Sequence, residues 1–274
     1  MTQTRDSLAP TALLPSGYWH ELATTDFARI DPQRTIAVLP VSATEQHGPH
    51  LPLCTDAAIN QGILQAALAR LPKEASVLVL PALTIGDSLE HTAFPGTLSA
   101  DMQDLLGLWL AVGRSVARAG VRKLVFFNSH GGQKAHVDQA ALRLRVECGM
   151  LTVRAHSFGL GMPPDLFGAD ELAHGIHGGA VETSLMLYLR PELVRREALA
   201  DFDSLGRRLA ERAGMLGAEK PVGIGWMTQD LNPAGVCGNA AAASAEKGAA
   251  LVEHAAGRLV ALLEEVAAFE LAKA

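Results

Sequence analysis

Glu45-Gln-His47 and Asp56 lie in one polar stretch, and His130 stands in another, Asn128-Ser-His-Gly-Gly-Gln133. Imidazole nitrogens and carboxylate oxygens together make the mixed ligand shell of zinc, manganese or iron(II). In extended backbone, residues two apart share a face. Glu45 and His47 then aim at one point, with Gln46 turned away. Gly48-Pro49 turns the chain and Leu51-Pro-Leu53 returns it, which places Asp56 at the N-cap of the next helix. As a cap alone Asp56 would contribute about 0.5–2 kcal/mol. Convergence with Glu45, His47 and His130 gives it a further role, since an aspartate can bridge two ions. Two metals roughly 3.5–4 Å apart can hold both the attacking and the leaving group of a displacement. Gly131 and Gly132 permit close backbone approach. A glycine-rich turn before a helix can also cradle phosphate, but neither GxGxxG nor a P-loop is present.

These residues need a scaffold that brings distant segments to one edge. Apolar runs over 35–41, 76–80, 123–127 and 151–155 predict four short buried strands. Helical spacing predicts helices over 57–71, 99–119, capped by Ser99, 133–147, ending at Gly149, and 238–268. Strands separated by single helices imply right-handed crossovers and a mostly parallel sheet, with sites at the carboxyl ends of the strands. Segments 42–56, 86–97 and 128–133 follow three of the strands, and a fourth polar cluster, 174–184, enters a helix. Stretches 159–170 and 221–239 read as long loops. One domain spanning 1–274 is expected.

Composition narrows the function classes. The 274 residues are 49% hydrophobic and 19% charged, which suits a folded chain with a full core. Aromatics at 5% argue against base-stacking platforms, and a net charge of −6 argues against a nucleic-acid surface. Three cysteines without a CxxC pair, against ten histidines, restrict any metal site to nitrogen and oxygen ligands. Residues 1–17 lack a signal-peptide pattern, and no stretch approaches 18 charge-free apolar residues. A cytoplasmic chain with reduced cysteines and no membrane partner is expected.

Four blocks in order, residues 39–56, Glu90-His-Thr-Ala-Phe-Pro-Gly-Thr97, Asn128-Ser-His-Gly-Gly-Gln133 and His177-Gly-Gly-Ala-Val-Glu-Thr-Ser184, resemble those of the creatininase (creatinine amidohydrolase) family. Gly235-Val-Cys-Gly238 and Glu246-Lys-Gly248 resemble its C-terminal block. The similarity runs over about residues 15–268. The resemblance implies a three-layer α/β sandwich with a mostly parallel central sheet flanked by helices. It also implies two divalent ions, Zn2+ and/or Mn2+ with Fe2+ an option. Glu45 and His130 would hold one ion, Asp56 would bridge, and His47 would help hold the second. Creatininase completes the second site with a carboxylate at the position of Gly132, and Glu182 is the candidate replacement here. His177 matches the catalytic histidine, a proton donor to the leaving nitrogen. Ser88 and Glu90 fall in the family's second loop and are assigned to substrate binding; His91 is placed beside the ligands.

The implied activity is metal-dependent hydrolysis of a non-peptide C–N bond, in an amide, cyclic amide or formamide, by metal-bound hydroxide, with Glu182 or His177 moving the proton. The loop over 157–176 has no tryptophan lid, so creatinine itself is a poor substrate candidate; Trp226 is a loop residue that can reach a pocket. The rival readings are a lactone or ring-opening carbon–carbon hydrolase of a sugar- or inositol-type substrate, an inactive metal-binding family member, and a nucleotide-binding module. A small-molecule substrate and a homo-oligomer, a hexamer by the family's habit, complete the expectation.

Overall fold

The computed structural model describes residues 14–212, 214–219 and 222–271. Most of the segment 1–17, read above for a leader, lies outside them. The first half of the chain alternates strand and helix: β1 (Ile36–Val41), α1 (Thr55–Leu68), β2 (Val77–Val79), α2 (Met102–Arg118), β3 (Lys123–Asn128), α3 (Lys134–Cys148) and β4 (Leu151–His156). The four strands form one parallel sheet in the order β2-β1-β3-β4, with Ile36 opposite both Val77 and Lys123, and Lys123 opposite Leu151. The second half adds α4 (Ala169–His174), α5 (Ala180–Leu189), β5 (Asp201–Phe202), α6 (Leu205–Ala210), β6 (Leu216–Gly217), β7 (Val222–Gly223), α7 (Thr228–Leu231), β8 (Gly238–Asn239) and α8 (Ala245–Ala268).

Strand alternation divides the interior in two. Ile36, Val38, Val125 and Phe127 face α1, α5 and α8, whereas Ala37, Leu39, Leu124 and Phe126 face α2 and α3. Each layer is an apolar helix face against an apolar sheet face, so β1 and β3 are buried along their whole length. Pro40 sits in this interior strand without cost to the ladder. Its side of β1 faces β2, which has already ended at Val79, and its carbonyl accepts from Leu83. In α8, Gly248 lies so close to the Ser184 carbonyl of α5 that a Cβ there has no room. At the opposite end from the site, buried Lys123 donates from Nζ to the carbonyls of Val266 and Ala267, at 2.9 and 2.7 Å. It thereby satisfies the carboxyl end of α8.

The helix boundaries move in instructive ways. Ser99 does not cap α2; its hydroxyl accepts from the Ser88 amide, and the helix begins three residues later behind Asp101. Asp56 is not a cap either. Cys54 occupies that position, and Asp56 lies in the first turn of α1 with its side chain free to face His47 and His130. The last helix starts at Ala245 behind Ser244, whose hydroxyl accepts from Lys247. Gly238 and Asn239 are instead a strand, paired antiparallel with β5. The loop over 159–170 ends in α4, and that over 221–239 contains α7.

Candidate metal centre

The carboxyl ends of β1 and β3 and the start of α1 bring Glu45, His47, Asp56 and His130 together, all at most 3% exposed. His130 Nδ1 lies 3.2 Å from Glu45 Oε1 and 3.3 Å from Asp56 Oδ2. His47 Nε2 lies 3.3 Å from Asp56 Oδ1 and 3.9 Å from Glu182 Oε2. The two oxygens of Asp56 therefore face two different histidines. Glu182, in the first turn of α5, approaches from the other side of the site, its Oε2 accepting from the Gly178 amide at 2.5 Å. His177, on the loop before α5, points Nδ1 at Glu45 Oε1 from 3.9 Å.

The outward nitrogens decide what the inward ones offer. A carbonyl only accepts, so an imidazole nitrogen bonded to it must carry the hydrogen. His130 Nε2 donates to Asp87 O at 2.7 Å, His47 Nδ1 to Glu45 O at 3.1 Å, and His177 Nε2 to Gln46 O at 2.8 Å. Each neutral ring then presents a bare lone pair to carboxylate oxygens, an arrangement that needs a cation or a proton between them. Glu45 Oε2, His47 Nε2 and Asp56 Oδ2 are buried and make no hydrogen bond. Such orphaned groups are costly in an interior unless something binds them. Among the described residues, three triplets have ligand atoms within 4.8 Å of one another: Glu45/Asp56/His130, His47/His177/Glu182 and Glu45/His91/His177. The donor set fits divalent cations of the zinc or manganese type, in which a histidine's second nitrogen is commonly fixed by a carbonyl.

Without a cation, protons hold this cage together. Burial opposes charge on His47, but Asp56, Glu182 and Glu45 push it up to about 9. His130 is raised well above its ordinary value, against burial, by Glu45 and Asp56. Burial would lift Glu45, yet His130, His91 and His177 hold it well below the usual carboxylate range. Glu182 is pushed up to about 7 by burial and by Asp56, against the pull of His47. His177 is driven well below its ordinary value by burial and by His47 and His91, so it is neutral.

The remaining expected residues fall as follows. Glu90 reaches over Gly132, and a Cβ at that glycine would collide with the Glu90 carboxylate and lie 2.7 Å from His130 Nε2. Burial raises the Glu90 carboxyl. Ser88 is fully buried, its hydroxyl makes no hydrogen bond, and it is not among the residues lining the cleft. The cleft above the site measures about 580 Å3 and is walled by Phe158, Met162, Ile176 and Trp226, with Lys134, Glu171 and Glu219 as charged groups. Leu172, Ile176 and Glu219 also line an adjoining cavity of about 390 Å3.

Sequence reasoning missed two parts of this arrangement. Gln46 does not turn away. β1 has ended at Val41, so strand alternation no longer applies, and Gln46 is buried between His91, His177 and Gly235. Glu171 is the other. Its carboxylate accepts from the amides of Ala180 and Asn239 at 2.6 and 2.8 Å and nests against Gly175, Gly179 and Gly238, tying α4 to α5 and β8. Three glycines near one acid were the available signal for it.

The family model for creatininase, described as creatinine amidohydrolase, matches residues 20–263. The chain belongs to the creatininase family. A mycofactocin precursor peptide peptidase of Mycobacterium tuberculosis (strain CDC 1551 / Oshkosh) is 35% identical over 183 residues, 65% of this chain and 67% of that protein. Two solved creatininase structures, a mutant of Zn–Zn type and a manganese form, each superpose with a TM-score of 0.72 at 26% identity, covering 91% of this chain and 98% of theirs. The chain is a creatininase-family hydrolase with metal-capable His and carboxylate groups at the carboxyl edge of its parallel sheet.

Proposed function

We propose that the chain is a metal-dependent amidohydrolase that cleaves an amide-type C–N bond, with two divalent ions, zinc or manganese, in the cage. The observation that carries this reading is the pair of inward lone pairs, on His47 and His130, each facing one oxygen of Asp56. Glu45, Asp56 and His130 would hold one ion. His47, Asp56 and Glu182 would hold the other, with Glu182 in place of the carboxylate missing at Gly132. Bound there, the cations would polarise a carbonyl and stabilise the negative charge that develops on its oxygen. The chain's own groups do the rest. Asp56 fixes the spacing of the two halves. Neutral His177 has a bare Nδ1 facing the site, so it can take up a proton there and return it to the leaving nitrogen. Glu90, beside His130 and His91, orients the substrate. We place the chain in the cytoplasm as a homo-oligomer, the latter by the family's habit.

A peptide C–N bond is the second reading. The cleft lies within the roughly 300–1,000 Å3 of sites for sizeable ligands and shares Leu172, Ile176 and Glu219 with an adjoining cavity, and a relative is named as a peptide peptidase. Exhaustive chelation should abolish turnover of a panel of formamides, cyclic amides and short peptides, and added Mn2+ or Zn2+ should restore it. Mass spectrometry of the products identifies the bond broken. Undiminished turnover by metal-free protein would overturn the proposal.

A further inference from the structure

His91 shares a triplet with Glu45 and His177, which makes it look like a third histidine ligand. Its outward nitrogen says otherwise. His47, His130 and His177 each bond outward to a carbonyl, whereas His91 Nδ1 lies 2.7 Å from the side-chain nitrogen of Gln46. The orientation of that amide is fixed by backbone at both ends. Gln46 Oε1 accepts from the Gly48 amide at 2.9 Å, and Gln46 Nε2 donates to Gly235 O at 2.6 Å. A flipped amide would set two donors and two acceptors against each other. Gln46 therefore donates to His91 Nδ1, which must be bare. Thr228 Oγ1 lies 2.8 Å from the same nitrogen and 2.9 Å from Glu90 O, and with Nδ1 bare its single hydrogen goes to Nδ1. The hydrogen of the neutral ring then sits on Nε2, which faces Glu45 Oε1 from 3.4 Å.

We propose that His91 is not a metal ligand but the hydrogen-bond donor of the site, kept in that tautomer by Gln46, and that it positions the Glu45 carboxylate. The tautomer follows from the protein alone; the positioning role rests on the metal reading above. In this arrangement Glu45 Oε1 receives an N–H from one side while a cation shared with His130 would occupy the other. That contact holds the carboxylate toward its ligand geometry. Gln46 and His91 are positioning residues, and both act on the metal through Glu45.

Nitrogen-15 NMR of histidine-labelled, metal-free protein reads the tautomer directly, with the His91 signals identified by their loss in His91→Gln. The expected result is a protonated Nε2 and a bare Nδ1. In Gln46→Glu the carboxylate accepts instead of donating, and the proton should move to Nδ1. Zinc titration supplies the second readout. His91→Leu should keep the wild-type number of bound ions but bind them about 10–100-fold more weakly, as loss of a ligand's supporting hydrogen bond does. His91→Gln, whose amide can still donate, should recover most of that loss. A proton on Nδ1 in the wild type, loss of a zinc equivalent in His91→Leu, or unchanged affinity in that variant would each overturn the proposal. If His91→Leu does not fold, the wild-type spectrum and His91→Gln still decide it. Failure of the wild type to bind zinc at all would strike the metal reading, while the tautomer measurement would stand.

Discussion

Metal binding to this site should be strongly pH-dependent near neutrality, because the cation has to displace protons. In the metal-free protein His47 is pushed up to about 9, chiefly by Asp56 acting against burial. At pH 7 it is charged, and removing its proton costs about 2.7 kcal/mol at 1.36 kcal/mol for each of two pH units. That cost falls by one unit's worth between pH 7 and pH 8, so the affinity of the ion held by His47 should rise close to tenfold. Glu182, pushed up to about 7, adds up to about twofold, since it is half protonated at pH 7. His130, raised well above its ordinary value by Glu45 and Asp56, makes the affinity of the other ion rise with pH in the same direction. The signs for stability follow from the same shifts. A histidine raised from 6.5 to about 9 contributes stability that is complete below pH 6.5 and lost as the pH rises through 9. Metal-free protein should thus lose stability over that window, and zinc should restore it increasingly as the pH rises. Calorimetric titration with zinc at pH 7 and 8, in buffers of different ionisation enthalpy, measures both affinity and protons released. About one proton should leave with the ion held by His47 at pH 7, with a further half from Glu182. Affinity that does not change between pH 7 and 8, with no proton release, would refute the reasoning.

Three other outcomes are expected. Asp56→Ala should lower bound metal at both halves of the site by elemental analysis, and loss confined to one half would remove its bridging role. Gly132→Ala should displace the Glu90 side chain and crowd His130 Nε2, 2.7 Å from the new Cβ, with the fold intact. Its unfolding midpoint should shift by less than ~2 °C, about 1 kcal/mol or less, while kcat/KM falls about tenfold. An unchanged kcat/KM would take Glu90 out of substrate binding. Gly248→Ala should force α8 away from the Ser184 carbonyl of α5 and cost about 1–3 kcal/mol as an overpacked contact. Thermal unfolding checks this, and a wild-type midpoint would show that the two helices can separate freely.

The strands were legible because each is a short apolar run, and β1, β3 and β4 lie within a residue of their expected ends. Helix starts were harder to read. Asp56 has the chemistry of a cap and is used for something else, and Ser99 spends its hydroxyl on the loop that carries Glu90. The four residues Glu45, His47, Asp56 and His130 could be found because strand ends in a parallel sheet converge. What local pattern does not encode is the state of each imidazole. Only His47 is set locally, by Glu45 O; the other partners are distant in sequence: Asp87 for His130, Gln46 for His177 and His91, and Gly235 for the orientation of Gln46. Gln46 escaped notice because the two-residue alternation was extended past the point where β1 ends. Glu171 escaped because its partners are backbone amides, which any sequence supplies.

β3 has unlike tasks at its two ends. Lys123 fastens the last turn of α8 to its start, and a short peptide beyond its finish His130 joins the cluster of Glu45 and Asp56. The bolt and the business end share one buried strand but sit at its opposite ends. Weakening the bolt, for instance with Lys123→Met, is therefore a way to tune robustness while leaving ligand chemistry alone. Conversely, the loops at the carboxyl edge can be exchanged to change the substrate without loosening what fastens the opposite edge. This plan gives the chain two separate dials, and a change in one need not be answered by repair in the other.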